Sequence, residues 1–240
     1  LGVRQYDSLK AAVRPFRAVF VHFFAAKCSR ILVLDMFANI CYNGYMFANI
    51  HLHSTTNSVA IHFGGSRSLC SASAAVAQAV SQVLAVGAVV RVGCAIGADA
   101  QVIQAALAAG AASRLTVFAA FGQGGAGAWS GSAVSVVQAA AAAGAAVVWW
   151  AGGPASLPLR ARLLRRSVAA LSGCAASVFV SPGSGSLAVA AQAAQRGQPV
   201  FVLAASAAPL PLARCAGAWS PSSFAGLPAW QWVFNQKSLF

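Results

Sequence analysis

Between Ser58 and Leu203, short apolar runs alternate with longer stretches in which small and apolar residues recur at helical spacing. Ser58–Phe63 (SVAIHF) is a short run ending in Gly64-Gly65 and predicts a strand. Leu69–Ala85 follows as a helix, and Gly87 closes it. Val89–Val92 predicts the second strand, and Ala98–Ala109 a helix stopped by Gly110. Leu115–Phe121 predicts the third strand, running into Gly122-Gln123-Gly124-Gly125, and Ala133–Ala143 a helix stopped by Gly144. Ala146–Trp150 is the fourth strand, Leu159–Leu171 a basic helix stopped by Gly173, and Ala176–Val180 the fifth strand. Leu187–Arg196 is a helix stopped by Gly197, and Pro199–Leu203 the sixth strand.

Strand–helix alternation of this kind marks an α/β fold, a Rossmann-like doubly wound and mostly parallel sheet of about six strands. Apolar strands agree with a sheet covered on both faces. The rhythm divides the chain into residues 1–57, 58–203 and 204–240. The first segment is poorer in alanine, holds three of the four histidines and two of the three acids, and repeats MFANI at Met36–Ile40 and Met46–Ile50. It is expected to be an appended extension, non-native or poorly ordered, adding little to stability. It lacks a clean signal-peptide pattern. Residues 204–240, rich in Pro, Ser and Trp, are expected to be an irregular tail.

Composition sharpens this. Only 8% of residues are charged and 59% are hydrophobic, much of the latter alanine. Leu115–Leu159 carries no charge, and Gly131–Gly152 is long enough to span a bilayer. Ser132, Ser135, Gln138 and Gly144 interrupt it, and alanine favours insertion weakly, so a soluble cytoplasmic domain with no membrane partner is expected. Net charge is +13, from 16 Lys and Arg against Asp7, Asp35 and Asp99. That balance favours anionic partners. A single carboxylate beyond residue 35 leaves no pair for acid–base catalysis and no acidic cage for a hard cation.

The six cysteines (Cys28, Cys41, Cys70, Cys94, Cys174, Cys215) include no CxxC spacing, and free, buried thiols are expected. His22, His51, His53 and His62 all precede residue 63. No metal site, cofactor or catalytic group is therefore assigned.

In a doubly wound sheet, ligands bind beyond the carboxyl ends of the strands. There the sequence places Gly64-Gly65-Ser66-Arg67, where glycines let backbone N–H groups approach an anion and Arg67 offers a charged fork. It also places Gly93-Cys94-Ala95-Ile96-Gly97-Ala98-Asp99, which opens a helix. Asp99 has two readings, capping or bracing of that loop and contact with a ribose hydroxyl. Gly122–Gly125 reads as a flexible lid, and Gly183-Ser184-Gly185-Ser186 as a hydroxyl-bearing loop opening another helix. Arg162, Arg165 and Arg166 share one side of the basic helix, with Arg160 nearby. They form either a solvated face or a phosphate-facing cluster.

Three stretches, SVAIHFGGSRSL, GAVVRVGCAIGADAQVIQAAL and LLRRSVAALSGCAASVFVSPGSGSLAVAAQAAQRGQPVFVL, resemble the SLOG superfamily, most closely its DprA/Smf-like and YspA-like members. The resemblance rests on Gly65-Ser66-Arg67, Gly97-Ala98-Asp99, Arg165-Arg166-Ser167, Gly183-Ser184-Gly185-Ser186 and Gly197-Gln198-Pro199-Val200. It implies binding of a nucleotide or nucleotide-derived phosphate ligand. The implied site is Gly64, Gly65, Ser66, Arg67, Gly93, Gly97, Asp99, Arg165, Arg166, Gly183, Ser184, Gly185 and Ser186. Two alternatives accompany it: DprA-like single-stranded DNA binding along Arg67 and Arg160–Arg166, and a phosphoribohydrolase-like enzyme. The phosphoribohydrolase branch has a glutamate after its PGGxGT loop, whereas Ser186-Leu187-Ala188-Val189 brings no acid. Homo-oligomers are compatible with all three readings.

Overall fold

The computed structural model describes residues 58–69, 74–203, 205 and 207–234. Expectations for residues 1–57, including His22, His51, His53, Cys28 and Cys41, lie outside the described residues, as does Cys70. The described chain is an α/β fold with an eight-stranded mixed sheet in the order β4-β3-β2-β1-β5-β6-β8-β7. Its strands are β1 (Ala60–Gly65), β2 (Val89–Val92), β3 (Leu115–Phe118), β4 (Ala146–Val148), β5 (Ala176–Val180), β6 (Val200–Leu203), β7 (Gly217–Phe224) and β8 (Leu227–Phe234). Five α-helices accompany them: α1 (Ala74–Ala85), α2 (Ala98–Ala108), α3 (Gly131–Ala142), α4 (Leu159–Leu171) and α5 (Ser184–Gln195).

β1 to β6 pair in parallel, and they are the six strands expected from the pattern. Val90, Val92, Val117, Val178 and Val202 are fully buried, as β-branched residues of a covered parallel sheet should be. β4 departs from this. It is an edge strand with Ala146 and Val148 exposed, since only one neighbour and one helix cover it. Gly131–Gly152 is broken by a turn into α3 and β4, and among the described residues no helix is long and apolar enough to cross a membrane.

The last segment corrects the expectation of an irregular tail. β7 and β8 form an antiparallel hairpin, and β8 pairs antiparallel with β6, extending the sheet to eight strands. Trp232 and Leu212 are buried against Val200, Val202 and the inner face of α5. From the tip of the hairpin Phe224 reaches Phe63 and Phe201, at 6.3 and 5.2 Å between ring centroids. β6 is apolar on both faces, and the hairpin closes the flank that it would otherwise expose.

Parity along the strands sorts the helices. Gly65 points toward Ala98 of α2, whereas Arg91, on the opposite face of β2, donates to the Ser172 carbonyl at the end of α4. α1, α2 and α3 thus cover one face, and α4 and α5 the other. Glycine stops the helices where the sequence placed it. Gly110 takes φ +65° after α2, and an added Cβ there would touch nothing within 4 Å. Gly110→Ala isolates the backbone term, and a loss of about 1 kcal/mol in urea denaturation is expected. An unchanged midpoint would contradict the left-handed stop.

Candidate phosphate-binding cleft

From β1 the chain builds outward through β2, β3 and β4, while β5 lies on the other side of β1 and leads to β6. The helices that follow β1 and β5 leave on opposite faces, and this opens a crevice at the carboxyl ends of the two central strands. A cleft of about 770 Å³ occupies it, walled by the 64–68 loop, the first turn of α5 and one side of α4.

The cationic end of the cleft is built from backbone. Gly183 is extended, Ser184 begins α5, and the Leu187 N–H closes the first helical bond on the Gly183 carbonyl at 2.9 Å. No side chain caps this helix, so the N–H groups of its first turn face the cleft with the positive end of the helix dipole. The expected loop Gly183–Ser186 is therefore mostly helix. Ser186 Oγ donates to the Gly65 carbonyl at 2.6 Å and ties that turn to β1. The Ser66 N–H donates to the Val180 carbonyl at 3.0 Å, and Ser66 Oγ accepts from the Ser68 N–H at 3.1 Å. Gly65 has no room for a side chain, because a Cβ there would lie 2.3 Å from the Val180 carbonyl oxygen. Arg67 and Arg160 are exposed on the rim.

The floor has a different character. Arg166 of α4 reaches across the end of β2 to Asp99 of α2, with Nη1 2.9 Å from Oδ2, and the two residues are 6% and 5% exposed. Burial alone would lower the Arg166 pKa, but the charge and hydrogen bond of Asp99 together with nearby Cys94 outweigh it, so the guanidinium is held above its ordinary value. Asp99 Oδ2 also accepts from the Ala95 N–H at 3.0 Å. A Cβ on Gly93 would lie 1.0 Å from Arg166 Nη1. Gly93 is thus the window through which the arginine passes.

His62 of β1 completes the floor. It is 2% exposed and inclined against Phe179, with ring centroids 5.4 Å apart. Burial, reinforced by the nearby Arg166 charge, lowers its pKa to about 3, so the imidazole is neutral. Its Nδ1 and the Arg166 Nε are buried without a hydrogen-bond partner among the described residues, as is Oγ of Ser177, the residue beside His62 on β5. Leu159, Leu163, Leu164 and Val189 supply an apolar wall.

Of the residues expected from sequence, Gly64, Gly65, Ser66, Arg67, Asp99, Arg166, Gly183, Ser184, Gly185 and Ser186 line one cleft. Gly93, Gly97 and Arg165 do not. Gly97, at φ +77°, packs against the carbonyls of Ser66 and Arg67, and the Ala98 N–H donates to the Ser66 oxygen at 2.9 Å. The N-terminus of α2 is therefore used by the protein itself. Asp99 braces the 95–99 loop and neutralises Arg166 rather than capping its helix or presenting a free carboxylate.

The basic helix does not present one arginine face. Arg162 is buried and donates to the carbonyls of Ala120, Gly127 and Leu157 at 2.6, 3.0 and 3.2 Å, with its guanidinium 5.6 Å from the Trp150 ring centroid. Arg160 and Arg165 are exposed. The 122–125 loop is a short 3₁₀ turn (Gln123–Gly125) outside the cleft lining, held by the Gly125 N–H to Gly122 carbonyl bond at 2.9 Å. Cys94 and Cys174 are free and buried, which raises both thiol pKa values. Among the described residues no cluster of His, Cys, Asp or Glu could hold a metal ion.

Sequence reasoning missed His62 as a residue lining this cleft. Its signal was a single polar residue within the apolar run of β1, on the same side as Gly64.

No family model matches this chain, and no curated protein matches it. Solved structures similar to it include two DNA processing proteins. One is DNA processing protein A from Helicobacter pylori, described with a unique single-stranded DNA binding mode. It is 18% identical, with 65% of this chain and 67% of that chain covered and a TM-score of 0.48. The other is DNA processing protein A (DprA) from Streptococcus pneumoniae, 23% identical, with 62% of this chain and 51% of that chain covered and a TM-score of 0.49. The chain thus spans about half the length of the pneumococcal protein.

Proposed function

We propose that the cleft binds the phosphate of a nucleotide or nucleotide-derived ligand, in keeping with the motif order that resembles the SLOG superfamily. The observation that carries this reading is the N-terminus of α5. It has no side-chain cap, opens into the cleft between β1 and β5, and is flanked by the exposed Arg67 and Arg160. Backbone N–H groups and two rim guanidiniums suit a phosphate, and about 770 Å³ suits a ligand of nucleotide size. Asp99, the one carboxylate side chain among the described residues, is engaged by Arg166 and the Ala95 N–H. Binding is therefore better supported than hydrolysis.

A second reading is a phosphodiester of single-stranded DNA. The observation favouring it is that Arg165, outside the cleft, is exposed on the same helix as Arg160, so that cationic surface continues past the cleft. Against it, the aromatic residues that would stack bases are engaged in packing. Trp129 and Trp149 lie against Phe121, and Trp150 against Arg162.

Titration calorimetry with ribonucleoside monophosphates, inorganic phosphate and a short single-stranded oligonucleotide separates the readings. For monophosphates, Arg67→Ala should weaken binding by about 1.5–3 kcal/mol, the range for hydrogen bonds to charged groups, and reduce its dependence on salt. Unchanged affinity in a folded variant would place the ligand elsewhere. Under the second reading, Arg165→Ala weakens the oligonucleotide and leaves monophosphates unaffected.

A further inference from the structure

The floor of the cleft differs in charge from its rim. The rim is cationic through Arg67, Arg160 and the α5 N-terminus. On the floor Asp99 and Arg166 cancel one another, and His62 is neutral. A phosphate gains little there, so the part of a ligand that reaches the floor should be uncharged. Two polar atoms of residues lining this floor are buried without a partner among the described residues, Arg166 Nε–H, which can only donate, and His62 Nδ1. A buried polar atom left unpaired is destabilising, and a fitting ligand group relieves that cost.

We infer that His62 and Arg166 recognise a sugar hydroxyl, so that the cleft takes ribonucleotides in preference to their deoxy forms. This rests on the phosphate site proposed above. A hydroxyl suits either atom, since it can accept from Arg166 Nε–H and can donate to His62 Nδ1, or accept there if the ring carries its proton on Nδ1. It brings no charge to a neutral floor. On this reading the phosphate lies at α5, the sugar over His62 and the base against the apolar lining of Leu159, Leu163 and Val189. Ribose recognition therefore passes from Asp99, whose carboxylate is already engaged, to two residues with open valence.

The test measures binding of the four ribonucleoside monophosphates, their 2′-deoxy and 3′-deoxy counterparts, and inorganic phosphate to the full chain. The wild type should prefer a ribonucleotide over one of its deoxy forms by about tenfold or more, the equivalent of one hydrogen bond. In His62→Phe the ribo and deoxy forms should bind alike, at the level of the weaker one, with inorganic phosphate unaffected. His62→Asn, which keeps a polar atom, should restore part of the preference and provides a second variant if phenylalanine is not accommodated. Equal binding of ribo and deoxy forms by the wild type overturns the inference while leaving the phosphate site standing. A preference that survives in both variants overturns the role of His62. Binding of neither monophosphates nor phosphate overturns both readings.

Discussion

Replacing Asp99 by alanine should lower the free energy of unfolding by about 3–5 kcal/mol, the usual result of stranding one member of a buried ion pair. Arg166 is 6% exposed, and its Nη1 meets Asp99 Oδ2 at 2.9 Å. Without the carboxylate the guanidinium stays buried with its charge uncompensated, and the Ala95 N–H loses its acceptor as well. Asp99→Asn keeps an acceptor for Ala95 but not the charge, so it should recover only part of the loss. The double variant Asp99→Leu/Arg166→Met should recover much more, because well-packed apolar residues often replace a buried pair at little cost. Urea denaturation at neutral pH reads all three. A single-variant loss below about 1 kcal/mol, the range of exposed pairs, would show that water reaches the pair.

The second large effect is on pH dependence. In the unfolded chain His62 titrates at its ordinary 6.5, but in the folded protein burial and Arg166 lower it to about 3. Below pH 6.5 the unfolded state takes up a proton that the folded state refuses. His62 therefore contributes full stability above pH 6.5, and that contribution is lost as pH falls toward 3. The limiting slope is about 1.4 kcal/mol per pH unit for one proton. Urea midpoints measured between pH 7 and pH 4 should fall steeply in the wild type and much less in His62→Phe. Parallel profiles for the two proteins would sink this assignment.

Both effects arise from residues whose environment could not be read along the chain. The strand–helix order was legible because a buried parallel sheet demands continuous apolar runs, and helices that return to it need stops. Thus β2, β5 and α4 fall where the pattern placed them, and Gly110 stands at a helix end. The cleft-lining loops after β1 and β5 were legible for a related reason. Short hydroxyl- and glycine-bearing turns at strand ends allow close approach of backbone to a ligand, and the topology brought Gly65-Ser66-Arg67 and Ser184–Ser186 to one cleft. The hairpin β7–β8 was not legible. Its residues alternate around proline and serine, and only pairing with β6 and burial of Trp232 against α5 make strands of them.

The sequence by itself thus determined the alternation of elements, the parallel core and the glycine- and hydroxyl-bearing turns at the strand ends, because these follow from hydrophobic period and turn chemistry, which act over a few residues. Tertiary structure decided what the charges do. Arg162 and Arg166 look like a free cationic face on a helix drawn alone, yet one is held by backbone carbonyls and the other by Asp99 from another helix. It likewise turned Gly93 from a phosphate-loop glycine into the space that an arginine occupies, and made a histidine in an apolar strand the floor of the cleft. Electrostatic pairing and desolvation depend on distances through space, and no local pattern in the chain encodes them.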